Sequence, residues 1–320
     1  MKKILVTTID VEPDCSPNWT YSNPLSFEGV SVGIRQRLQP LFDKYGISPT
    51  YLINNVVLED ESSVNVFREL KGSYELGTHL HPEFIEPMKE VYDYAGKKGV
   101  ANCCFYPHEI EYAKIRSITE LFTKSFGYAP VSFRAGRFSA GDNTIRSLVK
   151  LGYKIDTSVT PHMCWNDKSR QRPVNYRSAP EQPYLVSDTI LPNGSQGKLL
   201  EVPVTIALRK TSLKQAIKKL VIHKTTKIRY EPVWLRPVFS DNDEIQWLLK
   251  ATYETHKHER ILVYNLMFHN VEVIPGLSPY TKTENDCDKY MQQLEMLFQS
   301  CESNNIESKT LSDLYDHFQP

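Results

Sequence analysis

The sequence has 320 residues, of which 40% are hydrophobic and 24% are charged. This is the composition of an ordinary globular protein, and it excludes a disordered chain, a collagen-like chain and a coiled coil. The 38 basic residues balance the 38 acidic ones, and this neutrality argues against nucleic-acid binding by the molecule as a whole.

The N-terminus begins with Lys2 and Lys3, followed by an apolar run that ends at Thr7 and Thr8. This run is shorter than the ~7–15 apolar residues of a secretory signal. No apolar stretch approaches the ~18 residues that a membrane helix needs. The six cysteines form no CxxC pair, as is typical of a reducing compartment. We therefore expect a cytoplasmic protein whose first apolar run is a strand.

Short apolar runs alternate with segments of helical spacing along the chain. The runs predict strands over 4–10, 50–55, 74–81, 131–136, 153–158, 199–205 and 261–268. The other segments predict helices over 33–45, 108–126, 142–151 and 241–256. Asp241 followed by Glu244 resembles the N-terminal cap of the last helix. This alternation, with no linker and no repeat, favours one α/β domain over residues 1–320 with a parallel sheet.

Two long connections, 82–107 and 157–198, interrupt this pattern. Loops of this length inside a compact domain are usually functional or face a substrate. We therefore expect both connections to lie near a binding site.

Two acidic residues end the first predicted strand. Asp10 and Glu12 project to the same face of an extended chain. A pair of carboxylates at the C-terminal end of a strand suits a metal ligand and a general base. The alternative is a solvent-exposed acidic turn that also includes Asp14.

Two histidines end the third predicted strand. His79 and His81 share one face, and an H-x-H pair is a common way to offer two imidazoles to one cation. Alone, such a pair is more often two unrelated surface histidines. Together with a carboxylate, it matches the ligand set of a hydrolytic zinc site.

Three further polar residues lie at the same level of the predicted sheet. His269 follows the seventh strand, where the alternative is a packed or capping histidine. Arg134 could hold a buried carboxylate ionised, or form a surface salt bridge. Asp156 could orient Arg134, bind substrate or cap a turn. Parallel α/β barrels place their chemistry at the C-terminal ends of strands, so this convergence indicates a catalytic site.

The ordered segments TIDVE, ELGTHLHP, FRAGRFS, GYKIDTSV and NLMFHN resemble the five motifs of the polysaccharide deacetylases, carbohydrate esterase family 4. The resemblance spans residues 4 to 270. It implies a single-domain, distorted (β/α)7 barrel that binds a divalent metal, with zinc as the expected ion. It also implies hydrolysis of an N-acetyl group on an amino sugar.

The resemblance further implies a role for each residue named above. Asp10 resembles the catalytic base of the family, and His269 resembles its general acid. Arg134 resembles the arginine that holds the base, and Asp156 the residue that supports this arginine. Three residues resemble the metal ligands: Glu12, His79 and His81.

The chain departs from the family pattern at three places. Val11 separates two acids that are adjacent in the family, so the base and ligand roles of Asp10 and Glu12 are interchangeable at this stage. The two histidines are two positions apart instead of four. Gly136 and Arg137 replace the usual proline and aromatic residue, and we expect Arg137 to contact an anionic part of the substrate.

A basic run covers residues 209–229, with no acidic residue between Glu201 and Glu231. It indicates either a surface helix with a solvated basic side or a surface for anionic membrane or a lipid-pyrophosphate-linked sugar. With the expected cytoplasmic location, this favours a lipid- or nucleotide-linked intermediate of cell-surface polysaccharide biosynthesis as the substrate. Nucleic-acid binding is not expected, because no reading module accompanies the run.

Two other functions remain open at this stage. The same residues would serve a deformylase or an amide hydrolase of a non-sugar substrate. A non-catalytic carbohydrate-binding protein could share the fold, although it would not need to keep the acids and histidines together. Trp19, Trp165 and Tyr176 offer aromatic faces for sugar rings, with core packing as the alternative role.

Overall fold

Strands and helices alternate through the part of the chain that the structure, a computed structural model, describes: residues 1–89, 101–165, 174–193, 197–211 and 230–318. The strands are β1 (Lys2–Val11), β2 (Pro49–Asn54), β3 (Glu75–Leu80), β4 (Ser132–Ala135), β5 (Ile155–Asp156), β6 (Cys164–Trp165), β7 (Val174–Asn175), β8 (Tyr184–Val186), β9 (Leu199–Glu201), β10 (Ile206–Lys210), β11 (Tyr230–Trp234), β12 (Ile261–His269) and β13 (Glu307–Ser308). The α-helices are α1 (Gln39–Tyr45), α2 (Asn55–Leu58), α3 (Glu61–Glu69), α4 (His108–Phe126), α5 (Asp142–Leu151), α6 (Asn242–His256), α7 (Glu284–Ser303) and α8 (Leu311–Tyr315).

Seven parallel strands form the centre of the described fold, in the order β12-β1-β2-β3-β4-β5-β9. Each corresponds to one of the predicted strands, so the predicted parallel sheet is confirmed. β8 pairs with β9 in the antiparallel direction, and β13 pairs with the beginning of β1. The sheet curls into a distorted barrel, as the resemblance implied.

The seam of the barrel, between β9 and β12, is bridged in the described residues by isolated hydrogen bonds. The N–H of Thr205 donates to the carbonyl of Asn265 at 3.1 Å, and the Asn265 side chain donates to the carbonyl of Val202 at 3.0 Å. The Gln182 side chain both donates to and accepts from the backbone of Val263. At this seam, the side chains of Asn265 and Gln182 form hydrogen bonds with backbone groups that would otherwise pair with a regular neighbouring strand.

The predicted helices are present. α4 and α5 have the predicted bounds. α6 begins after Asp241, whose carboxylate accepts a hydrogen bond from the N–H of Glu244 at 2.9 Å, as the cap predicts. The predicted helix over 33–45 is longer, because a π-helical segment, Gly29–Leu38, continues into α1.

Helix α7 and the antiparallel pair β10–β11 lie outside the predicted elements. The buried residues Tyr290, Leu294 and Leu297 recur at helical spacing in α7, so the sequence does carry this signal. β10 and β11 are different, because their pairing joins segments that are distant in sequence. Periodicity within one segment does not reveal such a partner.

Parts of the long connections and of the basic run lie outside the described residues. These parts are 90–100, 166–173 and 194–196 in the connections and 212–229 in the basic run. Arg209, at the start of the run, forms ion pairs with Glu231 and Glu244. The membrane-facing surface therefore stays a prediction. Among the helices that the structure describes, none is long and apolar enough to cross a membrane.

Candidate active site

The predicted site residues meet at the C-terminal edge of the parallel sheet. The strand register places Asp10 opposite His269, and His79 opposite Arg134. A pocket of about 390 Å³ opens at this edge, and it is lined by five of the seven predicted residues: Asp10, Glu12, His79, His81 and His269. Arg134 and Asp156 are fully buried behind the lining.

Glu12, His79 and His81 form a compact group of metal-ligating side chains. Glu12 Oε1 lies 3.0 Å from His79 Nε2 and 2.8 Å from His81 Nε2, and the two Nε2 atoms are 3.2 Å apart. Zinc–nitrogen bonds are about 2.0–2.1 Å long, so tetrahedral ligands of one ion lie roughly 3.4 Å apart. All three residues are buried, and the group could hold a metal ion. The donor set and its spacing therefore fit one divalent cation.

Neighbouring hydrogen bonds determine which atoms of this group are available to a cation. The carbonyl of Arg134 is 3.2 Å from His79 Nδ1 and can only accept, so Nδ1 carries a proton and Nε2 is the nitrogen that would give its lone pair to a bound cation. Tyr21 Oη and Asn54 Nδ2 both donate to Glu12 Oε2 at 2.6 Å, which leaves Oε1 available. Neither Tyr21 nor Asn54 is among the predicted site residues, although Asn54 lies within the strand predicted over 50–55 and ends β2.

His81 and Glu12 shift each other's protonation. Burial lowers the pKa of His81, but the charge of Glu12 and hydrogen bonds to Glu12 and Glu83 raise this pKa to about 9. Burial raises the pKa of Glu12, but the charge of His81 and hydrogen bonds from both histidines hold it well below its usual value. A Cβ on Gly136 would lie 3.0 Å from His81 Nε2 and 2.8 Å from the carbonyl of Leu80. The glycine in the third motif therefore makes room for the His81 ring.

Asp10 stands beside this group as a separate carboxylate. Arg134 Nη1 donates to Asp10 Oδ1 at 2.7 Å, while Asp10 Oδ2 lies 3.7 Å from His79 Nε2 and 3.9 Å from His269 Nε2. Burial raises the pKa of Asp10, but the charges of Arg134, His79 and His269 lower it below its ordinary value. Asp10 is therefore ionised at neutral pH.

Arg134 donates its anchoring hydrogen bonds to threonines, and none to the predicted Asp156 is present among the described residues. Arg134 Nε donates to the carbonyl of Thr157 at 2.8 Å, and Nη2 donates to the hydroxyls of Thr157 and Thr8 at 3.0 and 2.7 Å. Asp156 instead lies in register with Glu201. Burial raises the pKa of both carboxyl groups, and the charge of Asp156 raises the pKa of Glu201 further. Successive residues of a strand point to opposite faces of the sheet. Asp156 and Thr157 therefore point in opposite directions, and Thr157 is the one that contacts Arg134.

The imidazole of His269 is oriented by residues that the sequence analysis missed. Its Nδ1 donates to Glu272 Oε1 at 2.8 Å, which leaves Nε2 facing the pocket. Glu272 is fully buried and also accepts hydrogen bonds from Tyr290 Oη, at 2.9 Å, and from Arg236. Glu272 follows His269 by three residues, and this spacing could have identified it as a partner of His269. Arg236 and Tyr290 come from other segments and carry no comparable signal.

Comparison with known proteins identifies the fold. No family model and no curated protein sequence matches the chain. Among solved structures, it is similar to a protein from Mycobacterium smegmatis assigned as a polysaccharide deacetylase, with 14% identity over 99% of this chain and 91% of that one and a TM-score of 0.55. A protein from Pseudomonas aeruginosa with the same assignment has 13% identity over 98% and 89% and a TM-score of 0.53. The chain has the polysaccharide deacetylase fold.

The same fold occurs in an enzyme with a different activity. An allantoinase matches 98% of this chain and 89% of its own, with 14% identity and a TM-score of 0.52. Identities this low establish the architecture alone. The chemistry of this chain must therefore be argued from its own residues.

Aromatic side chains complete the pocket within this deacetylase fold. They are Trp19, Tyr21, Phe84, Phe138, Trp165, Trp234, Phe239 and Tyr280. The first two residues predicted to stack on sugars, Trp19 and Trp165, are thus in the lining. Tyr176 is not among the lining residues, and its hydroxyl donates to the carbonyls of Phe138 and Ala140.

Arg137 lines the pocket, but its guanidinium is already engaged. Nη2 forms an ion pair with Glu83 at 2.7 Å, and Nη1 donates to the carbonyl of Ala101 at 3.0 Å and lies 3.2 Å from His81 Nδ1. These contacts place Arg137 beside the histidine pair. The contact with an anionic substrate that the sequence predicts for it stays a prediction.

Proposed function

We propose that the protein is a metal-dependent hydrolase that removes an N-acetyl group from an amino sugar. The observation that carries this proposal is one pocket in which the buried group Glu12, His79 and His81 lies next to an ionised Asp10 and an oriented His269. The shared fold of proteins assigned as polysaccharide deacetylases supports it.

The substrate we propose is a lipid- or nucleotide-linked intermediate of cell-surface polysaccharide biosynthesis, which would place the enzyme in the cytoplasm. The basic run over 209–229 supports this choice, since it offers positive charge to a pyrophosphate or an anionic membrane.

Zinc is the cation that we propose for the group Glu12, His79 and His81. Two imidazoles and one carboxylate are a ligand set of catalytic zinc sites. When bound, such a cation lowers the pKa of water to about 7 and polarises the carbonyl of the acyl group. Glu12 is the carboxylate ligand in this proposal, because it contacts both histidines, whereas Asp10 is hydrogen-bonded to Arg134.

Asp10 acts as the general base. Its Oδ1 is occupied by Arg134, and its Oδ2 lies between His79 and His269. The guanidinium of Arg134 is a fixed positive charge, since it is fully buried and bonded on three sides. Arg134 thereby keeps Asp10 ionised. Asp10 Oδ2 then takes the proton of the water that attacks the amide carbonyl.

His269 acts as the general acid. An amine leaves poorly unless it is protonated, so the reaction needs a proton donor on the amine side. His269 Nε2 faces the pocket because Nδ1 is bonded to Glu272. The buried carboxylate of Glu272 also compensates a positive charge on the imidazole ring. The proton passes from Nε2 to the departing nitrogen, and the products are acetate and a free amino sugar.

Metal content and acetate release, measured on the same variants, test the proposal. The purified protein should contain near-stoichiometric divalent metal and should release acetate from an N-acetyl sugar. His79→Ala should lose both metal and turnover, whereas His269→Ala should lose turnover and keep the metal. A wild-type protein that takes up neither zinc, cobalt nor nickel would contradict the metal site.

A hydrolase of a non-sugar amide is the second candidate, because an allantoinase has the same fold. The proposed base, acid and ligands would serve that reaction equally. A panel of N-acetyl sugars, N-formyl sugars and small cyclic and linear amides distinguishes the two candidates. A protein that binds metal and sugar but cleaves no member of the panel would be a carbohydrate-binding protein on this fold.

A further inference from the structure

One wall of the pocket, next to His269, is a continuous group of aromatic rings and one arginine. Trp19 lies 4.7 Å from His269 and 5.8 Å from Tyr280, and Tyr280 lies 5.6 Å from Phe239, measured between ring centroids. The guanidinium of Arg236 lies 4.4 Å from the centroid of Phe239 and 5.4 Å from that of Tyr280. We call Trp19, Arg236, Phe239 and Tyr280 the amine-side wall, because His269 protonates the departing amine in the proposed function.

Arg236 has hydrogen-bond donors that the described protein does not use. Its side chain is only 4% exposed. Nη2 donates to Glu272 and lies 3.0 Å from His269 Nδ1. Nε is buried without a hydrogen-bond partner, and no described residue accepts from Nη1. Buried donors in native proteins almost always have an acceptor. A pocket-lining arginine with unused donors therefore points to an acceptor on the ligand.

The surroundings of Arg236 favour an anionic acceptor. Aromatic rings lie against the guanidinium and bury most of it, and burial strengthens charge-assisted hydrogen bonds to carboxylate or phosphate oxygens. The negative charges of the nearest carboxylates are already balanced by ion pairs, since Glu272 pairs with Arg236 and Asp10 pairs with Arg134. An incoming anion thus meets no unpaired carboxylate on this side of the pocket.

Arg137, the second arginine that lines the pocket, is more fully engaged by the protein than Arg236. Both Nη atoms of Arg137 are engaged, with Glu83 and with the carbonyl of Ala101. Its side chain is also 41% exposed, so water competes for any further contact. Arg236 is buried and only partly engaged, so it is better suited than Arg137 to bind an anionic group of the substrate.

We propose that Arg236 is a substrate-binding residue that recognises an oxyanion, a carboxylate or a phosphate, on the leaving amino sugar, whose ring stacks on the aromatic residues of the amine-side wall. The placement of the sugar on this side rests on the proposed function, because it follows from the role of His269. The substrate class is thereby narrowed to acidic N-acylated amino sugars.

Binding of the free amino sugars, which requires no turnover, tests this proposal. The probes are a neutral hexosamine, the same sugar as its 1-phosphate and 6-phosphate, and the corresponding hexosaminuronic acid. Calorimetric titration of the zinc-loaded, full-length protein should show that at least one acidic probe binds about 10–100-fold more tightly than the neutral one. Comparison of the sugar phosphates with the hexosaminuronic acid shows whether Arg236 binds a phosphate or a carboxylate.

The variant Arg236→Lys separates recognition from folding, because lysine keeps a positive charge beside Glu272 but loses the planar fork of donors. It should reduce the preference for the acidic probe about tenfold or more and change binding of the neutral probe less than about threefold. Arg137→Lys is the matched control and should keep the preference.

Three results would overturn the proposal: equal binding of neutral and acidic probes by the wild type, equal weakening of all probes in Arg236→Lys, or loss of the preference in Arg137→Lys alone. Failure of the proposed function is a different result. In that case the protein would release no acetate, but it would still prefer acidic probes, and this preference would depend on Arg236. Acetate release without any such preference would contradict only the role of Arg236.

Discussion

Glu272 Oε1 accepts a hydrogen bond from His269 Nδ1 at 2.8 Å, and this contact sets the direction of the imidazole. Glu272 is itself fixed, since it is fully buried and bonded to Arg236 and Tyr290. A histidine held in this way presents its other nitrogen to the pocket in a defined orientation. The acid role proposed for His269 therefore depends on a carboxylate three residues further along the chain.

Removing the charge of Glu272 should slow hydrolysis without removing the metal. Glu272→Gln keeps the size of the side chain but no longer compensates a protonated His269, and we expect kcat to fall about 10–100-fold. Metal content should stay at the wild-type level, because Glu272 does not contact the ligand group. Tyr290→Phe, which removes one other hydrogen bond to Glu272, is the control and should lower kcat much less. Wild-type acetate release by Glu272→Gln would contradict this role.

Much of the candidate site could be predicted because it is built at strand ends. A parallel sheet brings the C-terminal ends of its strands to one edge, so Asp10, His79 and His269 become neighbours once the apolar runs are recognised as strands. The residues that orient them could not be found in this way. Tyr21 and Arg236 lie in connections whose packing depends on distant segments, and a single sequence carries no periodic signal for such contacts.

Tyr21 is one of these orienting residues, and its loss should weaken metal binding. Its hydroxyl donates to Glu12 Oε2 at 2.6 Å and keeps Oε1 turned toward the histidines. We expect Tyr21→Phe to lower zinc affinity about 10–100-fold, as is usual when a partner of a metal ligand is removed. Competition with a zinc chelator measures this change. Tyr176→Phe, at another buried tyrosine without contact to Glu12, should leave zinc affinity unchanged, and an equal loss in both variants would mean a general folding defect.

The support of Arg134 shows a second limit of sequence reasoning. Asp156 is the charged residue of its strand, and charge complementarity alone favours it as the partner of an arginine. The structure instead uses the neutral Thr157, because a carbonyl and a hydroxyl fit the guanidinium edge, while Asp156 Oδ1 accepts a hydrogen bond from the hydroxyl of Ser158. The choice between adjacent strand residues depends on which face each one occupies.

Thr157→Val should therefore impair the proposed acetate release more than Asp156→Asn. Valine has the shape of threonine but cannot accept from Arg134 or from Asn265, so two buried donors lose a partner. We expect the free energy of unfolding to fall by about 1–3 kcal/mol and kcat to fall with it, since Arg134 positions Asp10. Urea denaturation and acetate release measure the two effects. A larger loss of activity in Asp156→Asn would restore the sequence-based assignment.

Glu111 in α4 is a buried acid outside the active site. Its Oε1 accepts a hydrogen bond from the hydroxyl of Thr144, and its Oε2 has no partner in the described structure. Burial raises the pKa of Glu111 from 4.5 to about 8, although the hydrogen bond from Thr144 and the charge of Arg146 lower it. The folded protein therefore keeps a proton on Glu111 over a pH range in which the unfolded chain releases it.

This difference makes stability depend on pH, and Glu111→Gln should remove the dependence. Because the folded pKa is the higher one, the contribution of the protonated carboxyl is complete below pH 4.5 and is lost as the pH rises toward about 8. The loss is on the order of 1 kcal/mol per pH unit. Urea denaturation of both proteins between pH 5 and pH 8 should show a stability advantage of Glu111→Gln that grows with pH. Glu109→Gln, at an exposed position of the same helix, should show no such trend. Parallel stability curves for Glu111→Gln and the wild type would mean that Glu111 is not held protonated in the folded protein.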